Sequence, residues 1–176
     1  MTRVRLATPS DIDYLSQNDR IHTAELDVIV RHGRILIAEE FGRETAAGWL
    51  RWGLFWAELP FMNMLHVAEE RRGSGIGSFL VSQWETQCRD AGYSVVLTST
   101  QSNESAQHFY RRLGYRDAGG LLLPEEPLEI LFVKYIGDSR KAAVDNWQLS
   151  RADRGMSGWP QRTLCGMSGR VCAQVL

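Results

Sequence analysis

Cysteine is scarce in this chain. There are three in 176 residues, Cys88, Cys165 and Cys172, an odd count with no metal-binding or redox spacing. That excludes a disulfide-dense scaffold. No apolar run approaches the roughly 18 residues of a membrane span, and the opening MTRVRLATPSDID lacks a signal peptide's apolar block. The reading is of a soluble, cytoplasmic protein with no membrane partner. Neither charge is in excess: 20 basic against 21 acidic side chains leave a net −1, so the whole chain offers no field for nucleic acid. No cluster of His, Asp and Glu has ligand spacing, and no metal is expected. What remains is an ordinary globular mixture, 44% hydrophobic and 23% charged, about one domain in length.

The charges are unevenly placed. Residues 138–176 carry six basic and three acidic side chains, net +3, which leaves net −4 for residues 1–137. Periodicity stops at the same place, while Gly, Ser and Arg accumulate and Gly-Met-Ser-Gly occurs at 155–158 and 166–169. Residues 1–137 are read as one domain and 138–176 as a largely disordered C-terminal tail, with a partner-binding segment as the alternative.

Within 1–137, strand and helix signals alternate. A short strand at Val4–Leu6 precedes Thr8-Pro9-Ser10-Asp11, a capping residue, a proline at the first helical position and an acid three residues after the cap. Helices follow at 9–18 and 23–31, then strands at 34–39, 46–56 and 61–68, with a turn at 42–45. A helix over 75–91 carries Ile76, Leu80, Trp84 and Cys88 on one stripe. A strand at 93–99, a helix at 104–113 capped by Ser102 or Asn103, and strands at 121–123 and 128–135 complete the order. Consecutive strands without helices between them require a mixed sheet, hence an α/β (α+β) fold that is not purely doubly wound.

The most informative segment is Arg71-Arg72-Gly73-Ser74-Gly75-Ile76-Gly77, between a strand and an amphipathic helix. Glycines remove Cβ atoms where the first helical amides point outward unpaired, a setting that favours an anion such as pyrophosphate. A tight turn needing glycines only for its backbone is the alternative. A Walker loop is excluded because Ser78 and Phe79 follow Gly77, and the dinucleotide fingerprint lacks its third glycine at Ser78.

Arg72-x-x-Gly75-x-Gly77 after Leu65-His66-Val67 resembles the acyl-coenzyme A loop of the GNAT superfamily of N-acetyltransferases. Asn103-x-x-Ala106-x-x-Phe109-Tyr110-x-x-x-Gly114-Tyr115 is similar to a second motif of that family, in the family's order. The likeness covers roughly residues 2–136. It implies a three-layer fold whose mixed central sheet is splayed and flanked by helices. It also implies acetyl-coenzyme A as co-substrate, without a metal, and transfer to a primary amine by direct attack on the thioester. The acceptor is expected to be a small molecule.

Carried over residue by residue, the main chain of Leu65 and Val67 pairs with the pantetheine arm. The amides of Arg72, Gly73, Ser74, Gly75, Ile76, Gly77 and Ser78 hold the pyrophosphate, and Asn103 binds the pantetheine or acts only as a helix cap. Tyr110 is the general acid, or else a core tyrosine. The family often has a glutamate on the strand at 61–68; here that strand offers Asn63 and His66. His66 is one candidate base beside Glu58, Glu69, His22 and a water chain. Trp49, Trp52, Phe55, Trp56 and Phe61 are expected to form core and a surface on which a homodimer can pack, with one pair walling the acceptor pocket. A non-catalytic acyl-coenzyme A-binding module is the rival reading.

Overall fold

The computed structural model describes residues 2–40 and 46–137. The turn expected at 42–45 and everything expected of 138–176, including Cys165 and Cys172, lie outside the described residues. Seven strands form one mixed sheet: β1 (Thr2–Leu6), β2 (Ile35–Glu40), β3 (Gly48–Phe55), β4 (Leu59–Val67), β5 (Val95–Gln101), β6 (Arg116–Leu121) and β7 (Glu129–Tyr135). Their spatial order is β1-β2-β3-β4-β5-β7-β6. Every neighbouring pair is antiparallel except β4 and β5, which are parallel. The helices are α1 (Ile12–Asn18), α2 (Thr23–Arg31), α3 (Ile76–Asp90) and α4 (Ala106–Arg112). None among the described residues is long and apolar enough to cross a membrane.

Two cores lie on opposite faces of the sheet. On one, Leu36, Leu50, Met62, Val96 and Phe132 pack beneath Ile76, Leu80 and Trp84 of α3 and Tyr110 of α4. On the other, Ile35, Ile37 and Trp49 pack beneath Leu15 of α1 and Leu26 and Val30 of α2. Alternation along each strand feeds both cores. The capping box at the start of the first helical segment is present: the Thr8 amide donates to Asp11 at 2.7 Å. Arg5 forks onto the same carboxylate at 2.7 Å through both terminal nitrogens.

Several expectations change. The strand expected at 121–123 is instead β6, and all six of its residues are exposed; an edge strand without a buried face leaves no alternation to read. Leu121, Leu122 and Leu123 are exposed leucines at and beyond its end. Trp56 belongs to the turn between β3 and β4, with φ of 52° and 70% exposure. The fourth helix begins at Ala106, and Ser105 occupies its N-cap position without a side-chain hydrogen bond. Asn103 is therefore not the cap; it sits exposed in the turn before the helix.

Candidate functional site

β4 and β5 pair only at Phe61 with Leu97 and Met62 with Thr98. Beyond that rung β4 continues to Val67 and β5 to Gln101 with no further pairing between them. The cause is visible on the other side of β4. Trp52 pairs with Met62 but Arg51 with Met64, so Asn63 is an extra residue bulged out of the ladder. A bulge bends its strand, and this one begins where β4 leaves β5. It also breaks the alternation, so that Met62 belongs to one core and Met64 packs on the other.

The gap presents bare main chain. The Ala68 amide donates to the Ala47 carbonyl at 3.0 Å, which makes Gly48 and Val67 a non-hydrogen-bonded pair. The amide and carbonyl of Val67, and two residues earlier those of Leu65, therefore point away from β3 into the gap. Arg72 Nε donates to that Val67 carbonyl at 3.3 Å. An extended ligand with its own amides can add here as a strand would.

At the gap's end the chain turns into α3. Gly75 is its N-cap in the left-handed region, φ 89°, which L side chains adopt only with strain. The helical ladder starts at the Phe79 amide, which donates to Gly75 at 2.9 Å. The amides of Ile76, Gly77 and Ser78 thus precede any helical acceptor and face outward. Not every amide in the turn is available: Arg72 donates to Glu69 at 3.2 Å and Ser74 to Arg71 at 3.4 Å. At Gly77 a Cβ would lie 3.5 Å from Val67 Cγ2 and from Phe109 Cζ, so its absence keeps the space between the walls open. Arg71 is paired with Glu40, whereas Arg72 is exposed.

Together these surfaces bound a cleft of about 740 Å³. Leu65, His66, Val67, Arg72, Gly73, Gly75, Ile76, Gly77, Ser78 and Tyr110 all line it. Ser74 turns its hydroxyl back onto the Arg71 carbonyl at 2.5 Å, and neither it nor Asn103 contributes to the wall. His108 and Arg112 of α4 line it as well; nothing in the sequence marked His108 as a ligand group. Phe109 on the same short helix packs against the core and also borders the cleft. None of Trp49, Trp52, Phe55, Trp56 and Phe61 walls the cleft. Trp52 packs against Trp84, and Phe55 stacks on Phe61 and lies tilted against Trp56.

Tyr110 is 6% exposed, its ring against Tyr115 and Phe132 at 5.9 and 5.8 Å. The helix stop fixes it. Gly114, at φ 88°, lets the Tyr115 amide donate to the Tyr110 carbonyl at 3.1 Å and the Gly114 amide to Arg111 at 3.0 Å. This is a Schellman closure, with the apolar contact across it that such closures favour. Burial holds the phenol above its ordinary pKa. The Thr98 hydroxyl opposes this by hydrogen bonding, and the carboxylates of Glu104 and Glu129 reinforce it. The group is a protonated donor at neutral pH.

His66 pairs across the ladder with Trp49 and stacks on it, which puts its ring on the face covered by α1 and α2. Burial, then the charge of Arg72, lowers its pKa. Among the other candidate bases, Glu58 lies in the exposed turn before β4, Glu69 is exposed, and His22 is the exposed N-cap of α2. Cys88 is buried inside α3, and burial together with Glu85 pushes its thiol up to about 12, which removes it as a nucleophile.

Residues 5–115 match the model of the acetyltransferase (GNAT) family. Among curated proteins none matches the chain. Similar solved structures include a GNAT-family acetyltransferase from Bacillus cereus, 22% identical, covering 77% of this chain and 97% of its own, with a TM-score of 0.63. NAA60 from Arabidopsis thaliana, solved with acetyl-CoA, is 18% identical over 77% of this chain and 99% of its own, with a TM-score of 0.64. The Salmonella typhimurium yncA structure, also with acetyl-CoA, is 14% identical over 78% and 95%, with a TM-score of 0.63. At these identities the likeness is one of fold.

Proposed function

The chain belongs to the acetyltransferase (GNAT) family, and on that premise we propose that it transfers an acetyl group from acetyl-coenzyme A to a small-molecule primary amine by direct attack on the thioester. The coenzyme supplies the acyl group and a thiolate leaving group. The residues of the chain fit it: the main chain of Leu65 and Val67, turned away from β3, meets the pantetheine amides, which replace the Arg72 side chain on the Val67 carbonyl. The amides of Gly73, Gly75, Ile76, Gly77 and Ser78, with Arg72 and Arg112, meet the phosphates. The missing Cβ at Gly77 leaves room between them.

Tyr110 gives its proton to sulfur as the C–S bond breaks. A phenol of pKa ~10 passing a proton to a thiolate of pKa ~8.5 goes uphill by about 2 kcal/mol. Burial raises the phenol further, while a desolvated thiolate gains proton affinity in the same gap. The incoming ammonium loses its proton to water, because β4 carries no carboxylate or imidazole at the level of Met62 and Thr98: its residues there are Phe61, Asn63 and Met64. Neither Cys88 nor any covalent acyl-enzyme is required.

The parting of β4 from β5 after Met62, with Tyr110 buried beside that rung, carries this reading. A panel of primary amines, spanning polyamines, amino sugars, amino acids and a short peptide with a free amino terminus, is incubated with acetyl-coenzyme A while thiol release is followed. Release with a small amine supports the proposal. Release with the peptide alone moves the acceptor class, and coenzyme binding without release from any amine contradicts it.

A further inference from the structure

Arg71 and Arg72 are neighbours in the turn before α3, yet their side chains hold different things. Arg71 is paired with Glu40. Arg72 meets no carboxylate among the described residues; its Nε donates at 3.3 Å to the Val67 carbonyl. That carbonyl faces the gap, because Gly48 and Val67 are a non-hydrogen-bonded pair of β3 and β4. A donor on an acceptor that faces the gap stands in the gap. The guanidinium therefore takes the place of a ligand amide on β4. Burial and then the Arg72 charge lower the pKa of His66, in keeping with a cation lying along this end of the strand.

The Arg72 main chain is held separately. Its amide donates to the Glu69 carbonyl at 3.2 Å, and Gly73 follows at φ 77° with open space around it. The side chain can leave Val67 by a change of rotamer, a fast event for an exposed residue. Arg72 lines the same cleft as Ile76, Gly77 and Ser78, whose amides face outward at the start of α3. A phosphate seated on those amides offers the guanidinium charge-assisted bonds, roughly twice as strong as the one to a neutral carbonyl.

We propose that Arg72 is a latch that makes the protein select phosphate-bearing acyl donors: it covers the Val67 carbonyl until a phosphate at the turn draws it away. A donor with a diphosphate thus uncovers the main chain that its own pantetheine arm needs. A thioester of pantetheine alone must displace Arg72 and offers it nothing in return. This rests on the reading of the cleft as the coenzyme site. Arg112 also lines the cleft but makes no bond to the Val67 carbonyl, so it attracts phosphate without acting as a latch.

The test follows binding in 15N–1H spectra of the full chain with three probes: acetyl-coenzyme A, S-acetylpantetheine, which lacks the phosphates, and inorganic pyrophosphate. Arg72→Ala is expected to bind acetyl-coenzyme A about tenfold more weakly and S-acetylpantetheine about fivefold more tightly, the release of one modest hydrogen bond. Arg112→Ala is expected to weaken only acetyl-coenzyme A. In wild type, saturating pyrophosphate should shift the Arg72 Nε–H signal and tighten S-acetylpantetheine about fivefold; in Arg72→Ala that coupling should vanish. Uptake of S-acetylpantetheine by the variant alone supports the latch as well. Equal or weaker binding of S-acetylpantetheine by Arg72→Ala, or uptake by neither chain, overturns it, and this is what an arginine serving only the phosphates would give. If Arg72→Ala does not fold, Arg72→Met replaces it with the same expectations. If wild type takes up no acetyl-coenzyme A, the coenzyme reading fails. If it does, and S-acetylpantetheine ignores Arg72, only the present proposal fails.

Discussion

Trp49 and His66 lie nearly face to face across β3 and β4, ring centroids 5.8 Å apart and planes 23° apart. The imidazole thus belongs to the packing beneath α1 and α2. It also stands four residues along β4 from Met62, roughly 13 Å at the rise of a strand, whereas Tyr110 is held level with Met62 and Thr98. His66→Ala should therefore leave kcat within about threefold while lowering stability by about 1 kcal/mol, the usual worth of an aromatic pair. Because the folded-state pKa of His66 is lowered, its stabilising contribution is present above the ordinary histidine value and fades as pH falls through a value below it. Urea midpoints at pH 8 and pH 5, with kcat at pH 8, check this.

Gly75 and Gly77 make separable predictions. Gly75→Ala places a Cβ at φ 89° and should cost about 1–2 kcal/mol of stability. Gly77→Val meets ordinary contact distances at its Cβ, but its branches enter the cleft. It should leave the unfolding midpoint nearly unchanged and weaken acetyl-coenzyme A binding by about tenfold or more. Thermal melts beside calorimetric titrations distinguish the two.

Asp11 should dominate the acid limb of stability. Its carboxyl is held down to about 2 by Arg5, against burial and with help from the Thr8 amide and hydroxyl. A depressed folded-state pKa means the stabilisation is complete above the ordinary carboxylate value and is lost as pH falls from about 4 to about 2. Its size is about 2 kcal/mol. In Asp11→Asn that interval should flatten, as read from urea unfolding at several pH values.

Lys134 and Glu85 form a mostly buried pair, joined by the Tyr115 hydroxyl. Lys134→Met leaves the carboxylate without its cation and should cost about 3 kcal/mol, whereas adding Glu85→Gln should recover part of the loss. A double variant no more stable than Lys134→Met would contradict this.

Features governed by local chemistry were legible in the sequence. Thr8-x-x-Asp11 closes as a capping box, the glycines at 73, 75 and 77 open the turn into α3, and Gly114-Tyr115 ends α4 by packing on Tyr110. Each depends on a few neighbouring residues. The gap itself was legible only through family resemblance, because it arises from a bulge at Asn63, a property of pairing with another strand. The same limit hid His108: a helix of seven residues turns one flank to the core and the adjoining one to the cleft, and apolar spacing marks only the first. The leucines at 121–123 misled in the opposite sense, since β6 is an edge strand without a buried side.

The central claim is that one cleft grips the coenzyme through α3 and β4 while Tyr110 protonates its sulfur, so binding and turnover must separate at that phenol. The decisive measurement is calorimetric acetyl-coenzyme A affinity beside thiol release, for wild type and Tyr110→Phe. Affinity unchanged within about twofold, with kcat reduced about 10²- to 10⁴-fold, is the predicted result. Undiminished turnover in Tyr110→Phe, or a wild-type chain that takes up no coenzyme, contradicts the account.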